Sequence, residues 1–150
     1  MTESIELRKD GEIAEVFLNR PETFNAFDLD MVELFAKCLI NLAVDDSVSV
    51  VIISGKGKAF CAGGDLKWVF SFAGGPAAGF HELAARYHQA ILEIRRMRKP
   101  VIAAINGIAA GGGFSLALAC DFRVMAQSAI LRQAYTANGL CIDGGGTFTL

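Results

Sequence analysis

Two glycine-rich turns are the segments of this chain best suited to chemistry. They occupy residues 59–66 (AFCAGGDL) and 106–114 (NGIAAGGGF). Each turn follows a short apolar run and leads into a helical pattern, so each should bring the free N–H groups of a helix start close to a strand end. Glycine allows a ligand to approach such a backbone closely. Two of these N–H donors directed at one point would stabilise negative charge on an oxygen, so the sequence predicts chemistry at a carbonyl group.

The elements around these turns predict an α/β fold with a mostly parallel sheet. Asp10 and Gly11 form a hairpin signal between strands at 5–9 and 13–18. Asp28 is a candidate N-cap for a helix that runs to residue 43. Further strands are predicted at 48–53, 101–105, 121–126 and 131–136, helices at 65–72, 80–97 and from the second turn to 119, and a loop at 73–79.

Length and charge narrow the function classes. The chain has 150 residues, which is enough for one domain over 1–150, and its net charge of −2 argues against a nucleic-acid partner. The 4 cysteines lack metal-ligand spacing and are interpreted as small buried apolar residues of a reduced, cytoplasmic protein. His81 and His88 share one helix face, but no further ligands lie near them in sequence, so no metal site is predicted.

The uncharged run 101–120 allows two interpretations, a membrane span or buried elements of a globular fold. It follows the basic run 95–99, as a transmembrane helix often does. Pro100 and the glycines inside the run argue against a continuous helix. We therefore expect a buried strand, a turn and a helix, and no membrane association. The basic run suits the C-terminus of the preceding helix, or alternatively a polyanionic ligand.

Five ordered segments together resemble the crotonase superfamily, which is the enoyl-CoA hydratase/isomerase family. They are 18–21 (LNRP), 59–66 (AFCAGGDL), 99–107 (KPVIAAING), 111–113 (GGG) and 119–121 (ACD). The resemblance implies a crotonase-like spiral of ββα units, an acyl-CoA thioester as substrate with no separate cofactor, and a homotrimer or dimer of trimers. It also implies that the C-terminal helical part is missing, so we expect low activity from this chain alone and an exposed apolar flank.

The resemblance also assigns binding roles to residues of both turns. The backbone N–H groups of Gly64 and Gly112 match those that hold the thioester oxygen in relatives. Asp65, Leu66 and Lys67 match positions that line the channel for coenzyme A. Asp65 is in addition a candidate helix cap, and the two roles are compatible.

The acid–base residues distinguish between reactions. Hydratases of the family use two glutamates, and the matching positions here are Ser115 and Tyr135, which are weak bases at neutral pH. We therefore expect Ser115 and Tyr135 to bind the substrate. Asp143 resembles the aspartate of dienoyl-CoA isomerases and of the ring-opening isomerase of phenylacetate breakdown. It could move a proton between two carbons if a dry, apolar pocket raised its pKa.

Isomerisation of an unsaturated acyl-CoA is therefore the predicted reaction. The alternatives are a hydratase, a dehalogenase-like nucleophilic role for Asp143, and an acyl-CoA-binding subunit without catalysis. A purely structural alternative for Asp143 is that it caps a helix that begins at Gly144.

Overall fold

The structure is a computed structural model that describes residues 3–150. Within this range the strands are β1 (Ile5–Asp10), β2 (Ile13–Leu18), β3 (Val50–Gly55), β4 (Ala59–Cys61), β5 (Val101–Ile105), β6 (Ile108–Ala110), β7 (Phe122–Met125) and β8 (Ile130–Arg132). The α-helices are α1 (Leu29–Ala43), α2 (Leu66–Ser71), α3 (Gly75–Arg96), α4 (Gly112–Ala119) and α5 (Gly146–Thr149), and short 3₁₀ turns lie at Pro21–Thr23 and Thr136–Asn138.

The main sheet has the strand order β1-β2-β3-β5-β7. β1 and β2 form the antiparallel hairpin predicted at Asp10 and Gly11, and the remaining neighbours pair in parallel. Parallel strands need crossover connections, which α1 and α3 supply for β3 and β5. The predicted α/β class with a mostly parallel sheet is confirmed.

A second sheet of β4, β6 and β8 was not expected from the sequence. Its strands are three residues long and pair in parallel, with Cys61 opposite Ala109. Two of them lie inside the segments that the sequence pattern presents as glycine turns. Runs of three residues are too short to show an alternating pattern, which explains why β4 and β6 were missed. β8 overlaps the strand predicted at 131–136 but ends at Arg132.

One hydrophobic core lies between the main sheet and the helices. Alternate residues of the sheet strands face it, for example Val51 and Ile53 on β3, and both are fully buried. α1 contributes Met31, Phe35 and Leu39, which are also fully buried and lie on one face of the helix. The N-cap prediction for α1 is confirmed, because the Asp28 side chain accepts a hydrogen bond from the Met31 amide.

Two local predictions were wrong. The segment 73–79 was expected to be a loop, but α3 begins at Gly75 with Pro76 in its first turn. Proline is favourable there because the first turn does not use its missing N–H. Among the cysteines, Cys61 and Cys120 are buried as expected, whereas Cys141 is exposed.

Large apolar side chains are exposed on β7 and β8, as the expected apolar flank requires. Phe122 is 61% exposed, Val124 is 64% exposed and Ile130 is 56% exposed. Monomeric proteins rarely leave several such residues together in water. No helix within residues 3–150 combines the length and apolarity that crossing a membrane needs.

Candidate active site

The two glycine turns lie against each other because β4 and β6 are neighbours in the small sheet. Gly63 adopts a left-handed φ of 97°, and a Cβ atom there would lie 2.9 Å from the Ala110 carbonyl oxygen and 3.0 Å from the Gly112 nitrogen. A side chain at this position would therefore meet both strain and backbone atoms. Glycine allows the backbone of one turn to lie directly on the backbone of the other.

The amides of Gly64 and Gly112 are left without protein acceptors. Phe27 pairs with the first turn on either side of Gly64: its N–H donates to the Gly63 carbonyl at 2.7 Å, and its carbonyl accepts from the Asp65 N–H at 2.8 Å. Gly112 is the first residue of α4, whose opening N–H groups have no partner within the helix. Over residues 3–150, no group accepts a hydrogen bond from either amide.

Both glycines line one cavity of about 330 Å³. Its wall is mostly apolar and includes Phe27, Leu66, Phe80, Leu83, Tyr87 and Leu140. Asp143 is the single carboxylate among the wall residues of the described chain. An apolar cavity with a few converging polar groups is the usual form of a small-molecule site.

Asp143 is held by a tyrosine inside the wall. The Tyr135 hydroxyl donates to Asp143 Oδ1 at 2.5 Å, and Ser115 Oγ lies 3.3 Å from the same hydroxyl. Burial raises the pKa of Tyr135 above its usual range, and the hydrogen bond to Asp143 raises that pKa further. Tyr135 therefore stays protonated and acts as a donor, which leaves Oδ2 of Asp143 as the carboxylate oxygen without this restraint.

The structure corrects two expectations about Asp143. It does not cap a helix, since α5 begins at Gly146 and its N-cap, Gly145, makes no side-chain cap hydrogen bond. The carboxylate turns to the tyrosine hydroxyl instead. The expected dry pocket is also incomplete, because the Asp143 side chain remains 36% exposed.

Two residues of α3 for which the sequence indicated no role in catalysis or substrate binding also reach this site. The Tyr87 hydroxyl donates to the Gly112 carbonyl at 2.5 Å and so restrains the backbone beside that amide. Burial raises the pKa of Tyr87 well above its usual range, which keeps this donor protonated. His88 lies next to Asp143, with Nε2 3.7 Å from Oδ2. In the helical pattern of α3, Tyr87 occupies a core position and His88 a surface position. No local sequence signal could therefore have revealed these contacts.

The other predicted binding residues divide between the cavity and its support. Leu66 lines the cavity, whereas Asp65, Lys67 and Ser115 are not among the wall residues over 3–150. Asp65 confirms its cap prediction by accepting from the Lys67 and Trp68 amides at 3.1 and 3.3 Å. Lys67 is exposed on α2, and Ser115 is fully buried behind Tyr135.

Arg20 joins the start of α1 to the start of α2. Its guanidinium lies 3.1 Å from Asp28 and 3.1 Å from Asp65, the two helix caps. Beside it, the buried side-chain amide of Asn25 donates to the carbonyls of Lys56, Ala59 and Phe60. The loop between β2 and α1 therefore holds the segment that leads into Gly64.

Comparisons with known proteins agree with this architecture. The family described as Enoyl-CoA hydratase/isomerase matches residues 8–150. A 1,2-epoxyphenylacetyl-CoA isomerase of Escherichia coli is 38% identical over 134 residues, covering 89% of this chain and 51% of the relative. A crotonyl-CoA hydratase of Syntrophomonas wolfei is 36% identical over 146 residues, covering 97% of this chain and 55% of the relative.

Solved structures show the same fold. The crystal structure of an enoyl-CoA hydratase from a Polaromonas species superposes with a TM-score of 0.89 at 36% identity, covering 97% of this chain and 56% of that one. The chain thus spans about half the length of the relatives that it matches. The family match and the shared fold lead to one conclusion: this chain belongs to the enoyl-CoA hydratase/isomerase family of the crotonase superfamily.

Proposed function

We propose that the protein isomerises a carbon–carbon double bond of an unsaturated acyl-CoA through an enolate. The observation that carries this proposal is the composition of the cavity wall, where two unpartnered backbone amides and one carboxylate line an otherwise apolar space. An enolate needs donors at its oxygen and a base at its carbon. These groups supply both.

The Gly64 and Gly112 amides act on the thioester oxygen. Charge develops on this oxygen when a proton leaves the adjacent carbon, and preorganised donors stabilise that charge. Loss of one comparable donor in other enzymes costs about 3–4 kcal/mol. The Tyr87 hydroxyl and the Phe27 backbone keep the two amides in place, so they need no rearrangement when the charge forms.

Asp143 moves the proton from one carbon to another. Its Oδ1 is held by Tyr135, and its Oδ2 takes the proton from the substrate and returns it to a different carbon of the dienolate. General base catalysis of this kind contributes about 10²–10⁴-fold. Leu66 contacts the acyl-CoA in the cavity, and the exposed Lys67 beside it is available to the anionic part of coenzyme A.

The single carboxylate favours isomerisation over hydration. Positions that resemble the two hydratase glutamates hold Ser115 and Tyr135, and the raised pKa of Tyr135 makes it a donor instead of a base. The names of the relatives include both reactions, so the choice needs a direct measurement.

That measurement is incubation of the intact protein in D₂O with enoyl-, dienoyl- and arylacetyl-CoA esters, followed by mass spectrometry. We expect the double bond to move without addition of water, and Asp143→Asn to abolish the change. Asp46→Asn is the matched control, because Asp46 is exposed in the turn between α1 and β3. A product heavier by one water would identify a hydratase. Tight binding without any product would identify an acyl-CoA-binding subunit.

The assembly and location of the protein are also proposals. We infer a homotrimer or dimer of trimers in the cytoplasm, with acyl-CoA as the partner ligand. The exposed apolar residues of β7 and β8 support an assembly that covers them. Light scattering on the purified protein would measure the number of subunits, and a monomeric mass would contradict the proposed assembly.

A further inference from the structure

His88 lies beside Asp143, with its Nε2 3.7 Å from Oδ2. Over the described residues it is not part of the cavity wall, and its side chain is 45% exposed. A ligand in the cavity would therefore contact Asp143, which belongs to the wall, while the imidazole keeps contact with water.

One backbone hydrogen bond fixes the role of His88 Nε2. The Gly144 N–H donates to His88 Nε2 at 3.2 Å, so this nitrogen acts as an acceptor. The same Nε2 is 3.7 Å from Asp143 Oδ2. Nε2 and Oδ2 are thus both acceptors, and Nε2 would release the Gly144 N–H when it takes a proton from Oδ2.

A proton on Oδ2 has Nε2 as a nearby acceptor. Oδ1 cannot accept that proton as readily, since the Tyr135 hydroxyl already donates to it. The separation of 3.7 Å is longer than a hydrogen bond. A small rotation of the Asp143 side chain would close it, and such distances often shorten when a substrate binds.

We propose that His88 connects Asp143 to solvent, so that the proton removed from the substrate exchanges with water before it reaches the product. This inference rests on the proposed isomerisation. The substrate C–H bond breaks and its proton forms a bond to Oδ2, while the electron pair enters the enolate. The proton passes from Oδ2 to Nε2, which releases the Gly144 N–H, and the resulting imidazolium exchanges its N–H protons with water. A solvent proton then returns from Nε2 to Oδ2 and bonds to the product carbon.

The test is the deuterium content of the product formed in D₂O from unlabelled substrate, counted per turnover. We expect most wild-type product to carry deuterium at the newly protonated carbon. In His88→Gln the retained substrate proton should increase, with deuterium per turnover falling about threefold or more, because glutamine accepts from the Gly144 N–H but cannot be protonated. Because the ratio is taken per turnover, a general loss of activity does not change it.

Two further variants keep the test decisive. His81→Gln makes the same change at the other histidine of α3, which is exposed, and should leave the isotope ratio at the wild-type value. His88→Ala should lower deuterium uptake, and added imidazole should restore it. Unchanged deuterium uptake in both His88 variants would overturn the inference and leave isomerisation intact. Absence of both isomerisation and C–H exchange in the wild type would instead overturn the proposed function, and the inference with it.

Discussion

Replacing Gly113 by alanine should destabilise the protein, whereas the same change at the adjacent Gly112 should not. A Cβ atom on Gly113 would lie 2.0 Å from the carbonyl oxygen of Cys61 and 2.7 Å from its carbonyl carbon. A Cβ atom on Gly112 would lie 3.6 Å from the nearest atom, Cα of Gly63, which is ordinary contact. The two sites are neighbours at the start of α4, so the comparison isolates this steric difference.

The expected magnitude follows from these distances. Overpacking costs about 1–3 kcal/mol, and we take the upper value because a backbone carbonyl within β4 cannot rotate away as a side chain can. At either site, alanine stabilises the helix by up to about 1 kcal/mol relative to glycine. The free energy of unfolding should therefore fall by about 2 kcal/mol in Gly113→Ala and rise by up to about 1 kcal/mol in Gly112→Ala.

Urea titration of the two variants and the wild type measures this difference. For a chain of this size, about 3 kcal/mol between the variants corresponds to about 6–12 °C in melting temperature. Equal unfolding free energies, within about 0.5 kcal/mol, would refute the claim that α4 is packed against the β4 backbone too closely for a side chain.

Three further changes have defined outcomes. Tyr135→Phe removes the donor to the Asp143 carboxylate, so kcat should fall about tenfold while the Kd for an unreactive thioester stays constant; a Kd change alone would contradict this. Asn25→Ala leaves three carbonyls of the segment 56–60 without their shared donor, and urea titration should show a loss of about 3 kcal/mol. Burial raises the pKa of the Cys61 thiol from 9.0 to about 12. The stability that the buried, protonated thiol contributes is therefore complete below pH 9 and is lost as the pH rises towards 12. Between pH 9 and pH 12 the free energy of unfolding should fall more steeply in the wild type than in Cys61→Ala. The difference in slope should be about 1.4 kcal/mol per pH unit. The exposed Cys141→Ala variant should follow the wild type, and identical slopes in all three proteins would contradict the assignment.

Local signals in the sequence predicted the parts of the fold that depend on local energetics. The hairpin at Gly11 follows from a residue that tolerates its left-handed φ of 56°. The caps Asp28 and Asp65 follow from carboxylates that precede apolar helical patterns, and both accept amide hydrogen bonds as expected. These features need no knowledge of distant residues.

The composition of the site could be predicted only in part, because it depends on contacts between segments far apart in sequence. Gly64, Gly112 and Asp143 were recognised and share one cavity, and their catalytic roles stay predictions. The polar contacts of Asp143 were not foreseen: the carboxylate accepts a hydrogen bond from Tyr135 and lies beside His88 instead of capping α5. A helix of four residues offers little to a capping carboxylate, whereas a buried hydroxyl offers a strong donor.

The unpartnered donors in the cavity belong to the main chain. No single codon change can delete the N–H of Gly64 or Gly112, apart from one that introduces proline. Mutation can, by contrast, readily replace Ser115, Tyr135 or Asp143. Under the proposed function, a lineage that inherits this scaffold exchanges its acid and base while the donors to the thioester oxygen persist, so new reactions on the same thioester arise by small evolutionary steps.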